Sequence, residues 1–216
     1  MNEIMDTNSM YKMEFMPFIG KDYPLAKYKT LILGESHHCD KLENCCFKRN
    51  SLEKCKSLTN DVIDDYINYK KTGKGFYKSL NTFTKFSNVF EGKKLNNKET
   101  IGLWETFIFY NYVQFPMEGP RKSPDFENFQ KSEKALQDLL KESNPNLIIF
   151  WGYRLWNNFP KSHIVEINVN EEKISCIKVE DNIYPILVLP HPSSTKLNDS
   201  YSQIIKKQIE LTKLLS

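Results

Sequence analysis

The sequence has no uninterrupted apolar run approaching the roughly 20 residues that a bilayer-spanning helix needs. Its first residues, MNEIMDTNSMYK, lack the basic start and the apolar stretch of a secretory signal. These absences predict a cytoplasmic protein without membrane association. There is neither an internal repeat nor a low-complexity tract, which excludes a repeat array and a disordered chain. Charge of one sign is also scarce: Lys+Arg 30 against Asp+Glu 27 gives a net +3, a balance that permits nucleic-acid binding without arguing for it. Cysteine pairs at metal-site spacing are missing as well. Cys39, Cys45, Cys46, Cys55 and Cys176 are odd in number, and the adjacent Cys45 and Cys46 suit a disulfide framework poorly, so reduced thiols are expected. The spacing from Cys39 through Cys45 and Cys46 to Cys55, beside His37 and His38, fits no zinc template, so neither a metal nor a cofactor is expected.

What is present is enough apolar sequence for one core. With 216 residues, 40% hydrophobic and 13% aromatic, the chain is read as a single domain and a monomer, with residues 1–28 as an N-terminal extension. Apolar runs without alternation occur in TLILGESHH, TFIFYNYVQ, NLIIFWG and YPILVLPHPSS, as expected of strands buried on both faces of a parallel sheet. Helical stretches fall between and after them, at roughly 58–69, 77–86, 126–142 and 202–215, the third stopped by Asn144 and Pro145. EGKKLNNKET, from Glu91, and KKTGKG read as polar loops, and PMEGPRKSP as a rigid connector carrying Arg121 and Lys122. Residues 162–182 alternate in two runs and read as an antiparallel hairpin inserted before the last strand. The expected fold class is α/β, a three-layer α/β/α sandwich around a mainly parallel sheet.

In such sheets ligands bind at the carboxyl ends of the strands. The apolar runs end in Gly34-Glu35-Ser36-His37, Tyr110-Asn111-Tyr112, Gly152-Tyr153 and His191-Pro192-Ser193, so polar groups converge on one rim. Plainer roles fit each residue taken singly. Ser36 and Ser193 suit helix N-caps, Asn111 suits a turn, and His191 suits a buried hydrogen-bonded histidine. Trp104, Trp151 and Trp156 read as core, and His163 as structural or exposed.

Taken in order, GESHH, the Asn of FIFYNYVQ, NLIIFWG and HPSS resemble the motifs of the uracil-DNA glycosylase superfamily, across about Lys29 to Leu197. WGYRLWNNFP is similar to a bacterial branch of it. The resemblance implies a uracil-DNA glycosylase-like fold and hydrolysis of the N-glycosidic bond of uracil or another modified base in single- or double-stranded DNA. Carried over by motif, Gly34 would admit the extruded nucleotide, Glu35 would orient or activate water, Asn111 would read the base edge, and His191 would face the leaving base. Tyr112, Phe76 and Phe47 are the candidates to stack on the base. Ser193, Ser194, Lys196 and Arg121 would hold phosphates, with Lys48, Arg49, Lys122 and Arg154 near the motif ends. Leu197 occupies the place of the family's duplex wedge. Ser36 stands where many members have Asp or Asn, and His37 where proline is common; His37 is then the surrogate base.

Two alternatives stay open from the residues alone. One is a catalytically silent module that binds a modified base or nucleotide in the same pocket. The other is a metal-dependent hydrolase using His37, His38 and the cysteines.

Overall fold

The computed structural model describes residues 13–38, 56–117, 119 and 122–215. Cys39, Cys45, Cys46, Cys55, Phe47, Lys48, Arg49 and Arg121 lie outside the described residues. The strands are β1 (Phe18–Ile19), β2 (Thr30–His38), β3 (Phe107–Met117), β4 (Leu147–Trp151), β5 (Ile164–Val169), β6 (Glu172–Val179) and β7 (Asn182–Leu189). They form one seven-stranded mixed sheet in the order β1-β3-β2-β4-β7-β6-β5. The central strands β3, β2, β4 and β7 run parallel, and they carry the apolar runs of the sequence. The segment 162–182 does form an antiparallel hairpin, β5 with β6, and β6 pairs antiparallel with β7 so that the hairpin extends the sheet.

The helices are α1 (Leu58–Thr72), α2 (Leu80–Glu91), α3 (Asn97–Trp104), α4 (Phe126–Lys131), α5 (Glu133–Ser143), α6 (Tyr153–Asn158) and α7 (Tyr201–Thr212). One face of the sheet packs Leu31, Leu33, Ile108, Ile148 and Phe150 against Phe129, Leu136, Leu139 and Leu140 of α4 and α5. The other face packs Ile32, Phe109, Ile149 and Leu189 against side chains of α1, α2, α3 and α7. Helices on both faces are compatible with the expected three-layer arrangement. From β2 the chain moves to β3 on one side, then returns past β2 to β4 on the other. The winding therefore reverses between β2 and β4, where a crevice opens beyond the carboxyl ends of the strands.

The elements differ from expectation in places with local causes. The stretch from Glu91, read as a loop, contains the start of α3. Its start is a capping box: Asn96 Oδ1 accepts from the Glu99 N–H at 2.9 Å, and Glu99 Oε2 accepts from the Asn96 N–H at 2.8 Å. The pair satisfies two otherwise orphan donors of the first turn. The expected helix over 126–142 is two helices meeting at Ser132, whose Oγ donates to Asn128 O and accepts from the Gln114 N–H instead of facing solvent. The short α6 follows directly on Gly152 and has too few residues to show a period. The N-terminal segment packs on the sheet over its described part, where β1 pairs with β3. Phe15, Phe18 and Tyr23 are buried, and the Glu14 and Phe15 N–H groups donate to Gln114 Oε1.

Trp104 anchors the aromatic core of the second face. It is fully buried among Tyr66, Phe83, Phe86 and Phe107, and its Nε1 donates to Ser87 Oγ at 2.9 Å, so the polar atom needs no water. The capping box sets the start of the helix that delivers it. Asn96→Ala is expected to cost about 1 kcal/mol, read as a lower urea midpoint with an unchanged slope.

Candidate functional site

The crevice holds a cleft of about 610 Å3, within the roughly 300–1,000 Å3 usual for small-molecule sites. Strand parity selects its walls. Ile32, Phe109 and Leu189 face the α1/α2 layer, so Gly34, Asn111 and His191, each two residues further on, reach the cleft from the same side. Gly34 and Asn111 are direct register partners on β2 and β3. Gly34 is needed for this meeting: a Cβ there would lie 2.2 Å from Asn111 Oδ1 and 3.2 Å from Phe109 Cζ. The Asn111 side chain therefore occupies the space that any other residue at position 34 would fill. Its Nδ2 lies 3.4 and 3.3 Å from the two ring nitrogens of His37, too evenly shared for one directed bond.

His191 sits on the turn after β7. The Ser193 N–H donates to its Nδ1 at 3.1 Å, and Ser193 Oγ lies 2.7 Å from the same nitrogen. A backbone N–H can only donate, so Nδ1 is an acceptor and the proton of the neutral ring resides on Nε2. The His191 pKa is lowered from the ordinary 6.5, chiefly by desolvation among the cleft walls. The Glu35 carboxylate opposes that shift and the Arg154 guanidinium adds to it. The imidazole is thus neutral at pH 7, a donor through Nε2. Gly152 makes room for it. A Cβ at Gly152 would stand 3.4 Å from His191 Cβ, and the residue takes a φ of 111° that L side chains rarely adopt. The turn is held from α2 by Lys85 Nζ, which donates to Ser194 O at 2.6 Å.

Glu35 lies in the cleft with both oxygens engaged. Arg154 Nε donates to Oε2 at 2.8 Å, Arg154 Nη2 donates to Oε1, and Arg154 Nη1 donates to Ser123 Oγ at 3.1 Å. Each carboxylate oxygen keeps a lone pair with which to hold a water. Ser36 also lines the cleft, as do Ser193 and His38. The His38 pKa is lowered, mainly by burial, with Glu35 opposing and Arg154 reinforcing the shift.

Several expected roles are corrected by position. His37 does not line the cleft and is no surrogate base: it is 4% exposed, its Nε2 lies 2.8 Å from Thr59 Oγ1, and its ring packs on Phe15. Burial, reinforced by His38, pushes its pKa down to about 3, far from the operating range of a base. Tyr112 is fully buried on the opposite face, its hydroxyl donating to Phe129 O at 2.8 Å, because parity sends it away from Asn111. Phe76 is half exposed between α1 and α2, against Tyr69, and is not a cleft wall. Leu197 is buried in the core, so it is not a wedge. Lys196 is exposed, and the Ser194 hydroxyl accepts the Lys196 N–H at 3.2 Å within the turn.

The aromatic walls of the cleft are instead Phe83, Phe109, Trp151 and Tyr153, of which the sequence pattern points to Trp151 as core and to Tyr153 as a strand end. The phase of β3 was the available signal for Phe109, two residues before Asn111. Among the described residues no group of three His, Cys, Asp or Glu could hold a metal ion, and no helix is long and apolar enough to cross a membrane. The chain matches no protein-family model and no curated protein.

His37 yields a pH test. Its folded pKa of about 3 lies below the unfolded value near 6.5, so between those values the unfolded chain binds the extra proton and stability falls as pH falls. The loss is up to about 1.4 kcal/mol per pH unit within the window. Urea midpoints from pH 7 to pH 4 should drop less steeply for His37→Gln than for the wild type; identical slopes would contradict the burial.

Proposed function

We propose that the chain is a DNA glycosylase-like N-glycosyl hydrolase of the uracil-DNA glycosylase kind, acting on a base drawn out of a DNA strand into the cleft. The observation that carries this reading is His191, fixed by Ser193 as an Nε2–H donor in the same cleft as the Asn111 amide. The amide carries both a donor and an acceptor, the pair needed to read the polar edge of a nucleobase. Phe109, Phe83 and Trp151 supply aromatic surface beside it. When the C–N bond to the sugar breaks, its electron pair leaves with the base and the sugar becomes oxocarbenium-like. A neutral imidazole N–H placed at the base oxygen stabilises that charge as it develops. Water then adds to the sugar carbon, and its proton ends on the departed base anion, so the products are the neutral base and a sugar hydroxyl. Glu35 and Ser36 are cleft side chains able to orient that water.

The uracil-DNA glycosylase-like version of the α/β fold belongs to the same proposal. It is supported by the ordered motifs and by their meeting at one crevice. Ser193, Ser194 and Lys196 lie on the turn after β7, where a strand's phosphates would pass.

One observation favours a second reading, a catalytically silent module that recognises a modified base. Both Glu35 oxygens already accept from Arg154, and His37 is buried away, so two of the groups expected to act on the water are engaged elsewhere.

A panel of labelled oligonucleotides bearing uracil and other modified bases, read by alkaline cleavage at abasic sites, separates the two. The wild type is expected to release at least one base, and His191→Ala to slow release by roughly 100-fold or more while DNA affinity persists. No release from any oligonucleotide, together with tight binding of one modified base that Asn111→Ala abolishes, would establish the module instead.

A further inference from the structure

We propose that Arg154, held in place by Glu35 and Ser123, is a receptor for the phosphate of a nucleoside monophosphate unit whose base enters the cleft. The inference rests on the reading of the cleft as a nucleobase site. A guanidinium has five N–H donors. In Arg154, Nε and one Nη2 hydrogen serve Glu35, and one Nη1 hydrogen serves Ser123. One hydrogen on each Nη remains without a partner among the described residues, on the two nitrogens that form the end of the fork.

The exposures of the pair are unequal. The Glu35 side chain is 11% exposed and the Arg154 side chain 55%. The carboxylate is the anchored member and the guanidinium the presented one. Three separate segments meet here: the end of β2 carries Glu35, α6 carries Arg154, and the connector after β3 carries Ser123. An arginine held by bonds on all three of its nitrogens has already lost the rotamer freedom that binding an anion would otherwise cost. It also stands beside the base seat, since Arg154, Glu35, His38 and His191 all line the cleft.

Because the pair is close to neutral, attraction for an anion comes from the directed N–H groups and not from excess charge. Lysine would keep the charge but lose the fork. The site should therefore distinguish a phosphate from its absence by roughly tenfold or more, as expected for charge-assisted bonds.

Isothermal titration calorimetry of the full chain tests this with two comparisons. One sets the common deoxynucleosides and deoxyuridine against their 5′-monophosphates. The other sets a short single-stranded oligonucleotide against the same strand with a neutral methylphosphonate flanking the central base. Wild type is expected to prefer the charged member roughly tenfold in at least one comparison. The first comparison marks a free nucleotide as the source of the phosphate, and the second marks a strand. Arg154→Lys and Arg154→Met should each remove the preference, with nucleoside affinity little changed. Thermal melting checks that they fold, and Ser123→Ala, which leaves the ion pair intact, should weaken the preference partially if the larger substitutions do not fold. Equal affinity for charged and neutral members in wild type, or a preference that survives these substitutions, overturns the proposal. Base release with no phosphate preference would sink this inference and leave the glycosylase reading standing. A phosphate preference without base release from any oligonucleotide would do the reverse.

Discussion

Side-chain parity on parallel strands held in one register is the constraint on which the site depends. Gly34 pairs with Asn111, Leu33 with Phe150, and Phe150 with Val188, so equivalent residues of β2, β3, β4 and β7 stand at one height. Each step of two keeps a side chain on the same face. The apolar layers of the second core thus continue upward into Gly34, Asn111, Trp151 and then His191, where the helical cover gives way to the cleft. A one-residue slip of β3 would exchange Asn111 for Tyr112 and dismantle the site. Burial of Tyr112 and its bond to Phe129 O hold that register from the far side of the sheet.

The electrostatics follow from the same placement. His37 and His38 are neighbours in sequence, but the first is buried against Phe15 and Thr59 while the second lines the cleft. Burial keeps His37 neutral, which makes it a structural hydrogen-bonding residue behind Asn111. His191 is kept neutral by milder means, and the backbone of its own turn sets its tautomer. A single backbone N–H therefore decides which nitrogen the cleft receives. The Glu35 and Arg154 pair adds nearby groups of opposite sign whose influences on His191 run in opposite directions. The fixed geometry of these groups matters more to the site than their net charge.

The four parallel strands and their polar ends were legible because buried strands write continuous apolar runs that stop at special residues. Asn111 and His191 were legible for that reason, and Gly34 as the break in the first run. Other features required the third dimension. The partnership of Glu35 with Arg154 joins residues far apart in sequence, and no local pattern encodes it. His37 reads like its neighbour His38 in sequence, and only the packing of Phe15 and Thr59 separates them. Phe109 and Phe83 carry two roles at once, core and cleft wall, and a run of apolar letters shows only the first. The capping box of α3 was readable at Asn96 and Glu99, but the surrounding lysines and asparagines gave the stretch the composition of a loop.

The tautomer of His191 is the point on which the proposed base recognition and leaving-group stabilisation both turn. Imidazole 15N chemical shifts at pH 7 report it directly. The account predicts a neutral ring protonated on Nε2, with Nδ1 bare and accepting, and an Nε2–H resonance that shifts when the oligonucleotide bound most tightly is added. A ring protonated on Nδ1, an imidazolium at pH 7, or an Nε2–H resonance unmoved by saturating oligonucleotide would contradict it.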